Sequence, residues 1–349
     1  MVLLYDIREA KVSEGSSVQH FLDSHWKKNH SLVLSRDLLD FQHLNKIDYR
    51  YNYVIAINNS THEIDALFGY IPTYQYDESL KKFGDFWGAI WKKREDIENE
   101  ESNEIGMDVF TRIFEYPNFH SFSAIGISKT ALKIYKAFQC KTGYLSHYFI
   151  LNDHIHDFLI AGNVDNDYYG TETSYKSEWC LKEIDANDLS NINIKPVYRP
   201  YKSVEYLINR YVKHPIYRYS FYGIYNQYEI KSILVARFVH AKNSMVIRIV
   251  DALGKLQGSL YDSFQDLLHL TNAEYIDFMN YGIDESVFYE MGFRKLDLEG
   301  DLIIPNYFEP FEQRNVKIDI AWKADYENYV AFKGDSDQDR PNIISNYDK

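Results

Sequence analysis

At 349 residues, with 45% hydrophobic content and only 8 prolines, the chain is long enough for two cored domains and too apolar for an extended disordered protein. A formal net charge of −13 excludes a surface that coats nucleic acid or an anionic membrane, while leaving room for a local cationic pocket. Cys140 and Cys180 form no disulfide framework and no metal or redox spacing, no run approaches ~18 apolar residues, and MVLLYDIREAK is too short and too soon charged for a signal segment. The expectation is a cytoplasmic protein with no membrane span, so the sequon-like triplets at Asn29 and Asn58 carry no meaning.

In chain order, residues 1–30 predict a strand followed by a polar helix bearing Val18, Phe21 and Leu22. Residues 32–39 and 51–57 are β-rich, and the turn Asn58-Asn59-Ser60-Thr61 joins the second of these to residues 64–71 as a hairpin. Residues 86–91 are apolar throughout, as a central strand buried on both faces requires. An acidic interval, 95–104, reads as a solvated loop, and Gly106 stands just before a helical pattern of Met107, Phe110, Ile113 and Phe114.

Residues 120–151 read as strand, helix, strand. Ser128 is a helix N-cap, and Ala131, Ile134, Tyr135 and Phe138 recur at helical spacing to form one apolar face. An aromatic-rich strand, 144–151, follows Gly143. Residues 152–187 look polar and loop-like, which places a domain connection near residue 185. Beyond it the pattern gives a helix over 204–212, strands over 217–222, 233–239 and 245–250, and a helix over 259–268. The strand-helix-strand order then recurs at 273–298. Gly282-Ile283-Asp284 replaces Gly126-Ile127-Ser128, Asp284 becomes the N-cap and Gly292 ends the helix. A repeat at about one domain length predicts a tandem of two similar α+β folds, residues 1–185 and 186–349, each a mixed twisted sheet flanked by helices.

The segments IYKAFQCKTG and VFYEMGF resemble the closing half of a GNAT-superfamily acyltransferase. GYIPTYQYD, FWGAIWK, VIRIVDALG, EYIDFMNYG and KGDSDQDRPN, in that order over nearly the whole length, resemble a smaller group, the tandem-GNAT sugar N-acyltransferases that acylate nucleotide-linked amino-dideoxy sugars for bacterial surface polysaccharides. The resemblance implies an acyl-CoA co-substrate, no permanently bound cofactor and an acceptor such as a dTDP-linked 3-amino-3,6-dideoxyhexose. Two other readings stand beside it: a Fem-type transferase using aminoacyl-tRNA, against which the acidic balance counts, and a non-catalytic scaffold of the same fold.

Acyl transfer needs backbone N–H groups for the CoA pyrophosphate, donors for the thioester carbonyl and a neutral attacking amine. The resemblance puts the first need at the start of the helix near residue 105, with Trp91, Lys92, Ile105, Gly106 and Met107 as the CoA contacts. Gly254-Lys255-Leu256-Gln257-Gly258 is a rival phosphate loop with a lysine and no acids. Tyr135 stands where such enzymes place a tyrosine that protonates the departing thiolate, and its spacing equally makes it a core aromatic. Arg248 and Asp251 interrupt the apolar run MVIRIVDA and, three apart, are expected on opposite faces of a strand. Asp277 and Glu274 lie on opposite faces of another. A buried Arg248 ion pair with Asp277 or Glu274 competes with a substrate-binding role for Arg248, Asp251 and Glu274 and a catalytic-base role for Asp277. Asp335, Asp337, Asp339 and Arg340 are either a substrate-binding cap or a solvated tail; Arg340 and Asn346 stand where a calcium loop needs Gly and Glu, so no calcium is expected. Asp153-His154-Ile155-His156-Asp157 offers metal-ligand types without a third placed ligand, and no metal is expected.

Overall fold

The computed structural model describes residues 4–97, 102–165, 168, 177–306 and 312–341. Parts of the acidic interval, part of the 152–187 connection and Asn346 lie outside them. Seven strands come before residue 145: β1 (Tyr5–Lys11), β2 (Leu44–Asn45), β3 (Arg50–Asn58), β4 (Ile64–Pro72), β5 (Asp85–Lys93), β6 (Ser121–Ile125) and β7 (Lys141–Tyr144). After it come β8 (Ser146–Leu151), β9 (Trp179–Ile184), β10 (Ser220–Asn226), β11 (Glu229–Ala241), β12 (Ser244–Gly254), β13 (Tyr275–Tyr281), β14 (Arg294–Lys295), β15 (Asp319–Ala324) and β16 (Ala331–Phe332). They build two eight-stranded sheets. The first runs β1-β3-β4-β5-β6-β15-β7 with β2 on β3, and the second β14-β8-β13-β12-β11-β10-β9 with β16 on β13.

Local chemistry accounts for much of this. Asn58 Oδ1 accepts the N–H groups of Ser60 and Thr61 and closes the β3–β4 hairpin. The helices are α1 (Gly15–Phe21), α2 (Ser31–Leu34), α3 (Arg36–His43), α4 (Ser102–Thr111), α5 (Lys129–Ala137), α6 (Val204–Leu207), α7 (Tyr261–Thr271) and α8 (Glu285–Glu290). Ser128 Oγ accepts the Ala131 N–H at the start of α5, and Asp284 Oδ1 accepts the Ser286 N–H at the start of α8, as the sequence predicts. Leu38 and Leu39 of α3, with Val18, Phe21 and Leu22, pack on Tyr51, Tyr53 and Ile55, whereas α4 and Tyr135 of α5 pack with Phe68, Phe86 and Phe122.

Four expectations change. Residues 32–39 are helical: Ser35 Oγ caps the Leu38 N–H, and Arg36 pairs with Asp40 one turn on, so a start signal and an i,i+4 pair override β-prone composition. The connection over 152–187 includes strand β9, an edge strand that pairs with β10 and exposes the consecutive charges Lys182 and Glu183. The strand expected over 144–151 breaks at Leu145, so that β7 and β8 belong to different sheets. Finally, β15 returns from late in the chain and inserts between β6 and β7, pairing with both. Sheet membership thus changes over at Leu145, with β15 crossing back; a unit boundary at residue 185 is a separate proposal about folding units. Among the described residues, no helix is long and apolar enough to cross a membrane.

Candidate functional site: two splayed strand pairs and the segment between them

Each sheet contains one conspicuous parallel contact, and in both it is short. β5 pairs with β6 over residues 85–88 and 121–124, and β12 pairs with β13 over residues 247–249 and 276–278. Immediately beyond, the inner strand bulges: at Ala89 and Ile90 in β5, against Gly69 of β4, and at Val250 in β12. A bulge adds a residue and bends its strand, so each pair opens into a wedge. The repeat read around Gly126 and Gly282 marks the outer strand of each wedge.

Splayed strands leave backbone carbonyls that need donors. Residues 331–338 supply them in both wedges. β16 pairs with the end of β13, Lys333 N–H donates to the Met279 carbonyl (3.3 Å), and Gly334 N–H donates to the Val250 carbonyl (2.6 Å). Ser336 Oγ then donates to the Gly88 carbonyl (2.6 Å), and Gln338 Nε2 to the Ile125 carbonyl (2.8 Å). A Cβ on Gly334 would lie 2.4 Å from the Tyr211 hydroxyl, so a side chain there would force the segment out of its track. The segment is therefore neither solvated nor terminal in character: residues 331–337 are all buried.

Charge is buried along this seam in paired sets. Lys202 Nζ lies 2.5 Å from Asp251 Oδ1 and 2.6 Å from Asp335 Oδ1, and the Tyr211 hydroxyl donates to Asp251 Oδ2 (2.7 Å). Burial pushes Asp335 up to about 6, with Lys202 opposing and Asp251 adding to the shift. Arg237 Nη2 donates to Asp339 Oδ1 (3.0 Å) and the Tyr219 hydroxyl to Oδ2 (2.8 Å). Arg248 donates to both oxygens of Asp277 at 3.0–3.2 Å, and His147 Nε2 lies 3.1 Å from Asp277 Oδ2. Burial would raise Asp277, but Arg248 and His147 outweigh it and hold the carboxyl below its ordinary range. Lys333 is 3% exposed; burial, helped by Arg248, pushes its ammonium down to about 7, Arg237 adding to the fall while Asp339 and Asp277 oppose it.

These positions place the sequence-predicted residues as follows. Arg248 and Asp277 face each other in register and form the buried ion pair; Asp277 is fully engaged as a carboxylate. Arg248 and Asp251, expected on opposite faces, share one. The bulge at Val250 absorbs a residue: Ile247, Ile249 and Ala252 join the core beneath α7, whereas Val250 and Leu253 join the other. Glu274 points away from the seam and accepts the N–H groups of Leu159, Ile160 and Ala161 at 2.8–3.0 Å. Its carboxylate shapes a loop. Glu274→Ala would strand three N–H groups, at about 1–3 kcal/mol for each one left dry. We expect a loss of about 3 kcal/mol in urea unfolding; an unchanged midpoint would show that the loop does not depend on it.

Tyr135 lies among Trp91, Phe110 and Phe122 with its ring centroid 5.4–5.8 Å from theirs, and burial raises its phenol well above the ordinary value. Trp91 Nε1 donates to the Gly106 carbonyl (2.7 Å), while Lys92 pairs with Glu95. Gly106 lies inside α4 rather than before it, since the helix starts at Ser102. Gly106 and Met107 are then past the first four positions, whose N–H groups are the ones a helix leaves open; Ile105 is the last of those four and its side chain is buried. In the rival loop, the Leu256 N–H donates to the Tyr198 hydroxyl (3.0 Å) and the Gly258 N–H to the Glu290 carboxylate (3.2 Å). Trp179 packs where a Cβ on Gly258 would sit, and the adjoining cavity is about 10 Å³. An acid already holds the amide that a phosphate would need.

Asp337 pairs with Arg340, whose guanidinium lies 5.3 Å above the Trp26 ring. Of the ligand types over 153–157, Asp153 and His154 lie with His269 within 4.8 Å in a three-residue group that His156 and Asp157 do not join. The two imidazoles are stacked at 3.6 Å and within 4° of parallel. Lone pairs lying in parallel planes do not meet at one ion ~2.1 Å from each nitrogen, so the arrangement is that of a stacked pair. Four seam residues escaped the sequence reading: Lys202, Arg237, His147 and Lys333. Arg237 in SILVARFV carried the same signal as Arg248, a charge inside an apolar strand; Lys202 carried none.

No family model matches the sequence, and no curated protein sequence matches it. Among solved structures, a GCN5-related N-acetyltransferase from Anabaena variabilis superposes with a TM-score of 0.52 at 7% identity, covering 92% of this chain and 72% of that one. A candidate acetyltransferase from Pyrococcus horikoshii gives 0.47 at 10% identity over 94% and 92% of the two chains. Saccharomyces cerevisiae N-myristoyltransferase with myristoyl-CoA and inhibitors gives 0.43 at 7% identity over 93% and 81%. The Anabaena superposition carries the comparison: the chain has an α+β fold of two mixed sheets with flanking helices, like that GCN5-related N-acetyltransferase.

Proposed function

We propose that the protein is an N-acyltransferase that moves an acyl group from acyl-CoA to the amine of a nucleotide-linked amino sugar, of which a dTDP-linked 3-amino-3,6-dideoxyhexose in bacterial surface-polysaccharide synthesis is the leading candidate. The observation that carries this reading is the bulged, splayed pair β5/β6 with a helix following the inner strand. In this reading acyl-CoA lies along β5 beyond Gly88, with its pyrophosphate toward the first turn of α4, and Ser336 and Gln338 form the inner wall of its wedge. The loop after the inner strand of the second wedge suits a donor less well, as its Leu256 and Gly258 N–H groups are taken by Tyr198 and Glu290. The acceptor lies in the seam between the sheets.

The amine lone pair attacks the thioester carbonyl; the C–N bond forms, the C–S bond breaks, and the proton lost by the amine nitrogen ends on the departing thiolate, which leaves as free CoA. Tyr135, whose phenol is protonated at ordinary pH, is the group assigned to that relay, its hydroxyl giving a proton to the thiolate and regaining one from the amine nitrogen. With Asp277 held as a carboxylate between Arg248 and His147, attack by the already neutral amine fits better than proton removal by Asp277. Titration calorimetry with coenzyme A tests the reading. We expect saturable binding near one equivalent; no saturation at millimolar ligand would leave the fold intact and remove the acyl-CoA mechanism.

A further inference from the structure

Where the chain passes from one sheet to the other it leaves a cleft of about 510 Å³, within the usual range of about 300–1,000 Å³ for a small-molecule site. One buried residue sets its position. Leu145 donates its N–H to the Ile318 carbonyl (2.9 Å), which brings Lys317 beside Tyr144 and Ser146. From the second sheet, the Leu296 N–H donates to the His147 carbonyl (2.8 Å) and holds Lys295, Asp297 and Glu299 along the same cleft, where Tyr289 of α8 joins them. The cleft also has a fixed relation to both wedges. Gly126, just past β6, donates its N–H to the Asp319 carbonyl (2.8 Å), and Asp319 of β15 faces Tyr144 of β7. Two strand spacings, about 10 Å, therefore separate Tyr144 from the end of the outer strand of the first wedge. Ser146 faces Asn280, near the end of the outer strand of the second.

The lining offers three kinds of contact. Tyr144 and Tyr289 are 41% and 49% exposed, so both present aromatic surface to a ligand. Lys317 Nζ lies 4.9 Å over the Tyr144 ring, and the Tyr144 phenol is near enough to act on the Lys295 ammonium, so two cations and a ring converge. The carboxylate partners of these lysines stand outside the lining: Glu285 pairs with Lys295 at 2.9 Å, and Asp319 with Lys317 at 3.4 Å. Both pairs are solvated, so an incoming anion competes with them at small cost. Asp297 and Glu299 supply acceptors, Asp297 Oδ1 also taking the Glu299 N–H (3.0 Å). Two ammonium groups balanced by two carboxylates do not select a bare anion. They select a ligand that carries negative charge and hydroxyl donors together, and the rings add a preference for a flat aromatic group. A nucleoside diphosphate has all three: phosphates to accept, sugar hydroxyls to donate and a base to stack.

We propose that this cleft binds a nucleoside diphosphate group and so holds the acceptor by the end remote from its amine, with the linked sugar directed at the first wedge. The identification of that group as part of the acceptor rests on the acyltransferase reading; the binding of a nucleoside diphosphate does not. The test is calorimetric titration of the full-length protein with dTDP and, separately, with UDP, alone and in the presence of millimolar coenzyme A, with inorganic phosphate as the third probe. We expect saturable binding of at least one nucleotide near one equivalent, phosphate binding weaker by about tenfold or more, and no competition from CoA. Lys317→Gln, which removes a cation, and Tyr144→Leu, which removes a ring, are each expected to weaken nucleotide binding about tenfold. Both side chains are exposed, so the thermal midpoint should stay in place. No saturable binding of either nucleotide, binding that either variant leaves unchanged, phosphate binding of equal strength, or displacement by CoA would overturn the proposal. A separate CoA titration keeps the two ideas apart. CoA binding without nucleotide binding sustains the acyl-CoA donor and removes the cleft; nucleotide binding that responds to the variants, without CoA binding, does the reverse.

Discussion

Arg248→Met is expected to cost about 3–5 kcal/mol of folding free energy, the usual penalty for removing one partner of a buried ion pair. Asp277 is then left fully buried with His147 as its remaining side-chain partner, and the Pro305 carbonyl loses the Arg248 Nη2 donor. The loss should depend on pH. In the wild type the Asp277 pKa is lowered in the folded state, so the stability it contributes is present above its unfolded value and disappears as pH falls through the folded value. In the variant the unpaired carboxyl accepts a proton more readily, so the gap between the two proteins should narrow on acidification. Urea unfolding at neutral pH and near pH ~4 reads both effects. Equal midpoints at neutral pH would mean that the pair contributes nothing net. The companion variant Asp277→Asn addresses chemistry: if turnover is retained, Asp277 holds the strand pair together and takes no part in the reaction.

Lys333→Met should act in the opposite direction. The Lys333 ammonium titrates near 7 in the folded chain and near 10.5 when unfolded. Between those values the unfolded chain binds more protons, so the contribution of Lys333 to stability rises with pH, by on the order of 5 kcal/mol over the full window. Methionine has similar length and nothing to desolvate. The variant should therefore be more stable than the wild type near pH 7, and the difference should vanish toward pH 10. Every other titrating group is common to both proteins and cancels in the difference. A stability difference that does not change between these pH values would show that Lys333 is hydrated or paired in the folded protein.

The sequence made the local elements legible where one residue type marks a boundary. Ser128 and Asp284 capped their helices, the Asn58 turn closed its hairpin, and the apolar run inside β5 announced a central strand. The pairing of Arg248 with Asp277 followed from placing the two strands side by side. What failed had a common cause: periodicity reports which way a side chain points, not which strand lies next to it. Leu145 looks like one more residue of a strand, yet the chain leaves one sheet there and enters another. One extra residue at Val250 turned Asp251 to the face of Arg248, and no composition signals a bulge. The tail KGDSDQDR was read either as a cap or as solvated charge because its partners, Lys202 and Arg237, lie about a hundred residues or more earlier in the chain.

The return of β15 has a consequence for how such a chain can be made and inherited. The first sheet lacks the strand between β6 and β7 until residue 324 has been synthesised, and the second draws on β8, made long before its neighbours. A nascent chain halted at residue 185 holds two incomplete sheets, so the repeat does not fold one copy at a time; the pairs of long sequence separation must wait for nearly the whole chain. For the same reason a gene cut between the two halves would yield fragments that each expose an unpaired strand edge. Because the two sheets exchange strands, neither copy of the pattern around Gly126 and Gly282 can be removed without opening the sheet of the other.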